Sequence, residues 1–526
     1  MKTTALLVLC VVSVAAAAER TLPGTQPLET TNDLAREMVA GIDKFLMRET
    51  AAAISRRSNY WRRDFSSPDA YEKSVLENRG RFRTIIGAVD ERLPVTALEF
   101  VSSTSQSSLV AETDGYAVHA VRWPVFAGVH GEGLLVQAKG SPKARAVALP
   151  DADQTPEMLL GLAPGIPASS QYARRLAEGG CEVLIPTLID RRDTWSGNAR
   201  LKRFTNQPHR EWIYRQAYEM GRHVIGYEVA KVQSAVDYLA RDGKPVGVIG
   251  YGEGALIAFY TAAVDARIQV TAISGYFDSR QRLWEEPIYR NVFNLLAEFG
   301  DAEIAGLIAP RTLIVEHSEP PKVDGPPASR QGRGGAAPGR VAMPDFNAAD
   351  GEVRRAHAVT RGLNWQIQSI HGNEGSPMPY GSEPFVKALL RVLGATAGPA
   401  QGAPTDLRKD FSPDERQQRQ VHELAEHTQR LLRLSESVRN EKFWKTLKLG
   451  DADAFKASTT AHRSNFWQDV IGQLPKATVA ANARTRTTYD KEAWTGYDVV
   501  LDVYPDVFAW GVLLLPKDLK PGERRP

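Results

Sequence analysis

A mostly parallel β-sheet with helices on both faces is the fold class that this 526-residue sequence predicts. Two observations carry it. From about Ala144 onward, short apolar runs alternate with stretches of helical pattern, as parallel strands joined by helical crossovers require. The run PVGVIGYGEGALIAFYTAA, Pro245 to Ala263, passes from a strand through a glycine-rich corner straight into a helix. Sheets of this kind bind ligands at the carboxyl ends of their strands.

The chain opens with Lys2, an apolar run from Ala5 to Val14, and Ala16-Ala17-Ala18 before Glu19. This is the pattern of a secretory signal peptide over residues 1–18, and its apolar run is far below the ~20 residues of a membrane span. Export to the periplasm or the cell exterior is expected, with no membrane attachment after cleavage. Cys10 would leave with the leader. Cys181, in GGCEVLIP, then allows no internal disulfide and reads as a small buried residue entering a strand.

Residues 19–95 read as a helical N-terminal segment, because LAREMVAGIDKFLMRETAAAI and YEKSVLENRGRFRTIIG place apolar residues three and four apart. From Leu98 the period changes, and LEFVS, YAVHAVRW and GEGLLVQ read as strands. The alternation follows: strand ARAVALP, helix SSQYARRLAEGG, strand EVLIP, a long helical stretch from Arg210 to Gly243, strand VGVIG and helix ALIAFYTAAV. Strands IQVTAISG, TLIVE and WQIQSI come next, and the helix EPFVKALLRVLG closes a domain over residues 96–394. Pro320 to Arg340, rich in Pro, Gly and Arg, reads as a flexible surface loop. Residues 395–410 have linker composition.

Residues 411–526 partly repeat the beginning. RRSNYW recurs as HRSNFW, and GYAVHAVRWPVFAGVHGEGLLVQ resembles GYDVVLDVYPDVFAWGVLLLP. The expectation is an incomplete α+β second copy, in which Gly511 to Leu515 lacks the sheet it would pack on; a small β-rich appendage is the alternative. Composition narrows the partners. Hydrophobic residues are 43%, charged residues 24%, and the formal net charge is +3. With no block of Lys or Arg, nucleic acid is not expected as a partner. No His/Asp/Glu cluster has zinc spacing, so no metal or cofactor is expected.

The glycine corner carries the chemistry. Its layout is that of a nucleophile elbow, G-x-S-x-G, at the top of an α/β-hydrolase sheet. Aligned on Gly250 and Gly254, the central position holds Gly252, which has no reacting atom. Sliding the register to Glu253 puts Tyr251 and Ala255 at the flanking small positions, which fits the tight turn poorly. Catalysis on this fold needs nucleophile, acid and histidine in that order. His371 follows the last strand. Glu316 ends TLIVE, with Glu319 in the next loop as the alternative acid. The oxyanion loop reads LPDADQTPE and contributes Asp151, Asp153 and Gln154. With Glu253 these carboxylates would make an acidic cleft, hostile to a developing oxyanion and suited to a cation or to sugar hydroxyls. Asp153 has a structural alternative as cap of the following turn.

VGVIGYGEGALIAFYTAAVDARI, with ALPDADQTPE before it and IAPRTLIVE and SIHGNEG after it, resembles dienelactone hydrolase and acetyl xylan esterase-like proteins of the α/β-hydrolase superfamily, and among them large exported bacterial members with two such domains in tandem. The resemblance implies an α/β-hydrolase fold over about Leu98 to Gly394, with His371 matching the catalytic histidine, Glu316 the acid, and Gly252 departing from the nucleophile. It also implies a second domain with a serine elbow, here a partner hydrolase domain encoded downstream. Three functional readings follow: a catalytically degenerate hydrolase homologue with an ester or polysaccharide ligand; an active ester hydrolase using His371 and an unrecognised nucleophile; or a carbohydrate- or protein-binding module presenting Trp123, Trp195, Trp212 and Trp284.

Overall fold

The computed structural model describes residues 21–104, 106–398, 402–409 and 411–525; the expected leader over residues 1–18, with Cys10, lies outside them. The described residues form two compact units, one of residues 56–449 and one combining residues up to 55 with 450–525. No helix of the described residues is long and apolar enough to cross a membrane.

The larger unit is built on one ten-stranded sheet. Its strands are β1 (Glu99–Phe100), β2 (Leu109–Glu112), β3 (Tyr116–Phe126), β4 (Val129–Ala138), β5 (Arg145–Leu149), β6 (Glu182–Pro186), β7 (Val246–Tyr251), β8 (Ile268–Ser274), β9 (Thr312–Glu316) and β10 (Gln368–Ile370). The spatial order is β10-β9-β8-β7-β5-β6-β4-β3-β1, with β2 also on β3. β5 to β10 run parallel, and β4 turns antiparallel against β6. The central parallel strands β5, β6 and β7 are short and buried on both faces, which is why they read as unbroken apolar runs.

Strand periodicity sends alternate residues to two cores. Val147 and Leu149 of β5 face the larger one, against α2 (Val224–Leu239), α3 (Glu253–Val264) and α4 (Asp301–Ile308). Ala146 and Ala148 face the other, against α1 (Tyr172–Glu178) and α6 (Glu383–Val392). A further helix, α5 (Phe346–Val359), packs on α4. The helical stretch expected from Arg210 to Gly243 is two helices, His209–Tyr218 and α2, broken where Gly221 takes φ +66°. The strand expected at WQIQSI is shorter, only Gln368–Ile370.

The units do not divide at residues 395–410. The helix beyond, α7 (Pro413–Lys442), lies on β4 of the same unit. It buries Val421 and Leu424 in the larger core. Its Arg416 grips Glu157 at 2.8 and 3.1 Å, Arg408 adds a bond at 3.2 Å, Gln417 donates to the Leu188 carbonyl, and Arg419 pairs with Glu132 at 2.8 Å. Burial raises the Glu157 carboxyl, but the two arginines outweigh it and hold the group at about 2. The segment from Pro320 to Arg340, expected to be flexible, is likewise tied down. Asn206 donates to the Pro327 carbonyl at 2.8 Å, Ala337 N–H donates to Glu211 at 3.0 Å, and Arg330 pairs with Asp193 at 2.7 Å.

In the smaller unit, β11 (Arg484–Asp490), β12 (Trp494–Tyr504) and β13 (Val507–Pro516) form an antiparallel meander, joined at the β11 edge by Gln26–Pro27. Its core is small: Leu28, Leu34 and Val500, with Phe45 stacked on Tyr504 at 4.5 Å.

Removing Arg416 from the Glu157 cluster leaves the buried carboxylate with Arg408 as its one remaining arginine partner among the described residues. Arg416→Met is expected to lower stability to urea by about 3 kcal/mol. Because the folded Glu157 is held low, that contribution is present above the ordinary carboxylate range and fades as pH falls toward 2. An unchanged urea midpoint would show that α7 is not part of this unit.

Candidate functional site

The elbow sits at the carboxyl end of β7, where the chain turns into α3 with no intervening loop. Gly252 is the corner, at φ +58° and ψ −117°, a conformation that a side chain strains. The outer glycines are there for contact. A Cβ on Gly250 would collide with the Gly254 carbonyl, and one on Gly254 with the carbonyls of Leu149 and Pro150. Backbone packing of β7, α3 and β5 therefore requires glycine at both outer positions.

The space over Gly252 is occupied. An added Cβ would lie 2.5 Å from Asp151 Oδ1 and 2.9 Å from the Pro321 ring. Asp151 Oδ1 also accepts the N–H of Glu253 at 3.0 Å. On this fold the N–H after the nucleophile is an oxyanion donor. Here that donor is satisfied by the chain's own carboxylate, in the region where a nucleophile and a reacting carbonyl would meet.

Asp151 is held there by charge. Arg191, in the loop after β6, binds it through both nitrogens at 2.6 and 2.9 Å and reaches Asp153 at 2.9 Å. Glu253 receives Arg290 at 2.6 Å, Arg210 at 3.3 Å and Arg191 at 3.4 Å. Arg210 also forks onto Glu228 of α2 at 2.9 and 2.8 Å, and Arg290 reaches Glu286 at 3.3 Å. Asp151, Glu253, Glu228, Arg191, Arg210 and Arg290 are all buried. Burial raises both acids, but the arginines more than offset it: Asp151 is held below the ordinary carboxylate range and Glu253 at about 2. The expected acidic cleft is thus corrected. Its buried carboxylates are neutralised by arginines supplied from three other segments, and no open anionic surface results.

The other site residues are placed as follows. Gln154 accepts the Asp151 N–H at 3.1 Å and donates to the Tyr380 hydroxyl at 3.1 Å; Tyr380 stacks on Tyr251 at 3.8 Å. Asp153 does not cap the next turn. Thr155 does, while Asp153 accepts the Arg191 N–H at 2.9 Å. Glu316 ends β9 as expected, but its carboxyl accepts from Ser274 Oγ at 2.5 Å, Gly381 N–H at 2.8 Å and Ser382 N–H at 3.0 Å. Burial raises its pKa and these hydrogen bonds only partly counter that. Glu319 is exposed, and its carbonyl receives the Tyr251 hydroxyl. His371 follows β10 as expected. It is exposed, and Nδ1 lies 2.9 Å from the Gly372 carbonyl. Glu316 and His371 line one small cavity with His317 and Phe346, about 30 Å³ in volume, which is room for a water or two. No hydrogen bond joins the two among the described residues, and Gly252 does not line that cavity. Of the tryptophans, Trp123 is buried and donates to the Lys231 carbonyl, Trp195 stacks on His209, and Trp212 packs on the core, leaving Trp284 exposed. The described residues hold no group of three or more His, Cys, Asp or Glu able to bind a metal ion.

Sequence reasoning missed Arg191, Arg210 and Arg290. The first had a visible signal: DRRD, Asp190 to Asp193, lies just past a strand's carboxyl end.

Strand order, the antiparallel β4 and the elbow after β7 define an α/β-hydrolase fold. Similar solved structures include a Bacteroides fragilis protein assigned as an acetyl xylan esterase (14% identity, 64% of this chain and 86% of that one, TM-score 0.42). A glucuronoyl esterase from Solibacter usitatus matches at 14% identity over 61% and 93%, TM-score 0.38. Acetyl xylan esterase 1 from Thermoanaerobacterium sp. JW/SL YS485 matches at 11% over 61% and 92%, TM-score 0.35. No protein-family model matches the sequence, and no curated protein does.

Restoring a serine is predicted to fail. Gly252→Ser must strain a left-handed backbone and displace Asp151, and is expected to cost at least about 1–2 kcal/mol in chemical denaturation with no gain of ester hydrolysis. A stable, active variant would contradict this geometry. Acid titration of the intact chain supplies a second check. The depressed carboxyls of Asp151 and Glu253 stabilise the fold fully above the ordinary carboxylate range and lose that effect as pH falls toward about 2. Unfolding should therefore set in below about pH 4, and flat stability down to pH 2 would count against the network.

Proposed function

We propose that the larger unit is a catalytically silent α/β-hydrolase homologue, an esterase-type scaffold acting outside the cytoplasm without turning over an ester. The observation that carries this is the Asp151 carboxylate seated on the Glu253 N–H and against Gly252. Acyl transfer needs a nucleophile at the corner, an empty donor for the oxyanion and a histidine to move the proton. Gly252 supplies no nucleophile, the donor is spent on Asp151, and Glu316 turns its oxygens to Ser274, Gly381 and Ser382 rather than to His371.

Ser274 is no substitute nucleophile. It is buried, and its Oγ lies between Glu316 and Ser318 at 2.5 and 2.7 Å, with no hydrogen bond to an imidazole among the described residues. The balanced arginine network favours a structural role for the strand ends over the handling of a cation, since every added positive charge would face Arg191, Arg210 and Arg290.

The purified chain is expected to hydrolyse p-nitrophenyl acetate no faster than its His371→Ala variant, both at the rate of an inert protein of similar lysine content. Turnover that saturates with substrate and disappears in His371→Ala would overturn the proposal.

A further inference from the structure

The meander β11-β12-β13 reproduces β2-β3-β4 pair for pair at a constant displacement of 378 residues. Tyr116 pairs with Ala138 and Phe126 with Val129; Trp494 pairs with Pro516 and Tyr504 with Val507. Leu109 pairs with His119 and Glu112 with Ala117; Thr487 pairs with Tyr497 and Asp490 with Thr495. The irregularities coincide too, between Pro124 and Phe126 and between Asp502 and Tyr504, and again between Leu109 and Ala111 and between Thr487 and Tyr489. Two bulges in matching register are a strong sign of one shared architecture.

The two meanders differ at the edge of their last strand. In the first, Gly133, Leu134, Leu135 and Val136 of β4 pair antiparallel with Pro186, Ile185, Leu184 and Val183 of β6. Leu134, Leu135 and Val136 are fully buried. The equivalent residues of β13 are Gly511, Val512, Leu513 and Leu514. β13 pairs with β12 alone among the described residues, and Val512, Leu513 and Leu514 are 46%, 39% and 54% exposed. Between Val507 and Leu515 there is no charge and no proline on this edge. Solvated edge strands are normally blunted by such residues. This one has the composition of an interior strand.

We propose that the free edge of β13 at Gly511–Leu514 is a docking site for a β-strand equivalent to β6, carried by a polypeptide that supplies the remainder of a second α/β-hydrolase sheet. The occupant is set by the first meander, where this edge takes an apolar strand, Glu-Val-Leu-Ile-Pro, antiparallel and in a defined register. Backbone hydrogen bonds would give the affinity, and the apolar side chains flanking the edge the selectivity. A second copy of this chain would instead pair β13 with β13, for which no counterpart exists in the complete sheet.

The probe is a fluorescent peptide of the chain's own Gly180–Leu188 with Cys181→Ser, titrated with the intact chain and read by anisotropy. Saturable binding is expected, weakened at least about tenfold in Val512→Lys/Leu514→Lys and equally by Leu184→Pro in the peptide. The peptide substitution carries no folding risk to the protein, and far-UV circular dichroism checks the lysine variant. No saturable binding, or binding indifferent to both changes, overturns the proposal. So does a dimer of the chain that the two lysines dissociate, since the occupant would then be a second copy. None of these readouts involves the elbow, so the docking edge and the silent site fail independently.

Discussion

The Asp151 carboxylate accepts the Glu253 N–H at 3.0 Å while Arg191 grips it from the other side at 2.6 and 2.9 Å. The arrangement at the carboxyl ends of the sheet depends on keeping that buried charge satisfied. A buried carboxylate without partners costs several kcal/mol, so Arg191 must be present. A buried Arg191 needs more than one acceptor, which Asp153 and Glu253 provide. Glu253 in turn draws in Arg290 and Arg210, and Arg210 takes Glu228 from the next helix. The chain of pairs ties the loops after β5 and β6, the start of α3 and the interior of α2 into one electrostatic unit.

This explains how the elbow keeps its form with glycine at its corner. The outer glycines are imposed by backbone contacts among β7, α3 and β5 that have nothing to do with a substrate. Gly252 is imposed by its positive φ and by Asp151 and Pro321 standing where a side chain would go. In an active elbow the strain at the corner serves to present a nucleophile. Here the same corner presents an N–H to an internal anion, and the helix start, with its positive dipole end, stabilises Asp151.

Much of the fold was legible because parallel strands buried on both faces leave uninterrupted apolar runs. EVLIP and TLIVE coincide with the observed strands β6 and β9 residue for residue. The position of Glu316 at a strand end and of His371 after the last strand were also legible, since both follow from element order. Where their atoms point was not, because that depends on Ser274, Gly381 and Ser382, which are distant in sequence. The charge balance was hidden for the same reason: Asp151, Asp153 and Glu253 look acidic until Arg191, Arg210 and Arg290 arrive from elsewhere in the chain. α7 falls beyond the expected boundary because the composition of residues 395–410 suggests a linker, yet Val421, Leu424 and Thr428 lie three and four residues apart on its buried face. The repeat was legible in outline only. Its Gly-Tyr and aromatic-Pro anchors align a few residues away from the register the strands adopt, whereas Gly133 and Gly511 fall on it.

A double-mutant cycle between Asp151 and Arg191 tests the central claim most directly. Asp151→Asn, Arg191→Met and the pair together would be compared by urea unfolding of the intact chain. If the elbow is closed by one coupled buried network, each single change strands charges that the double change removes, and the coupling energy should be about 2 kcal/mol or more. Single effects that simply add, to within about 0.5 kcal/mol, would show that Asp151 is not locked over the elbow, and the account of a self-occupied site would fail.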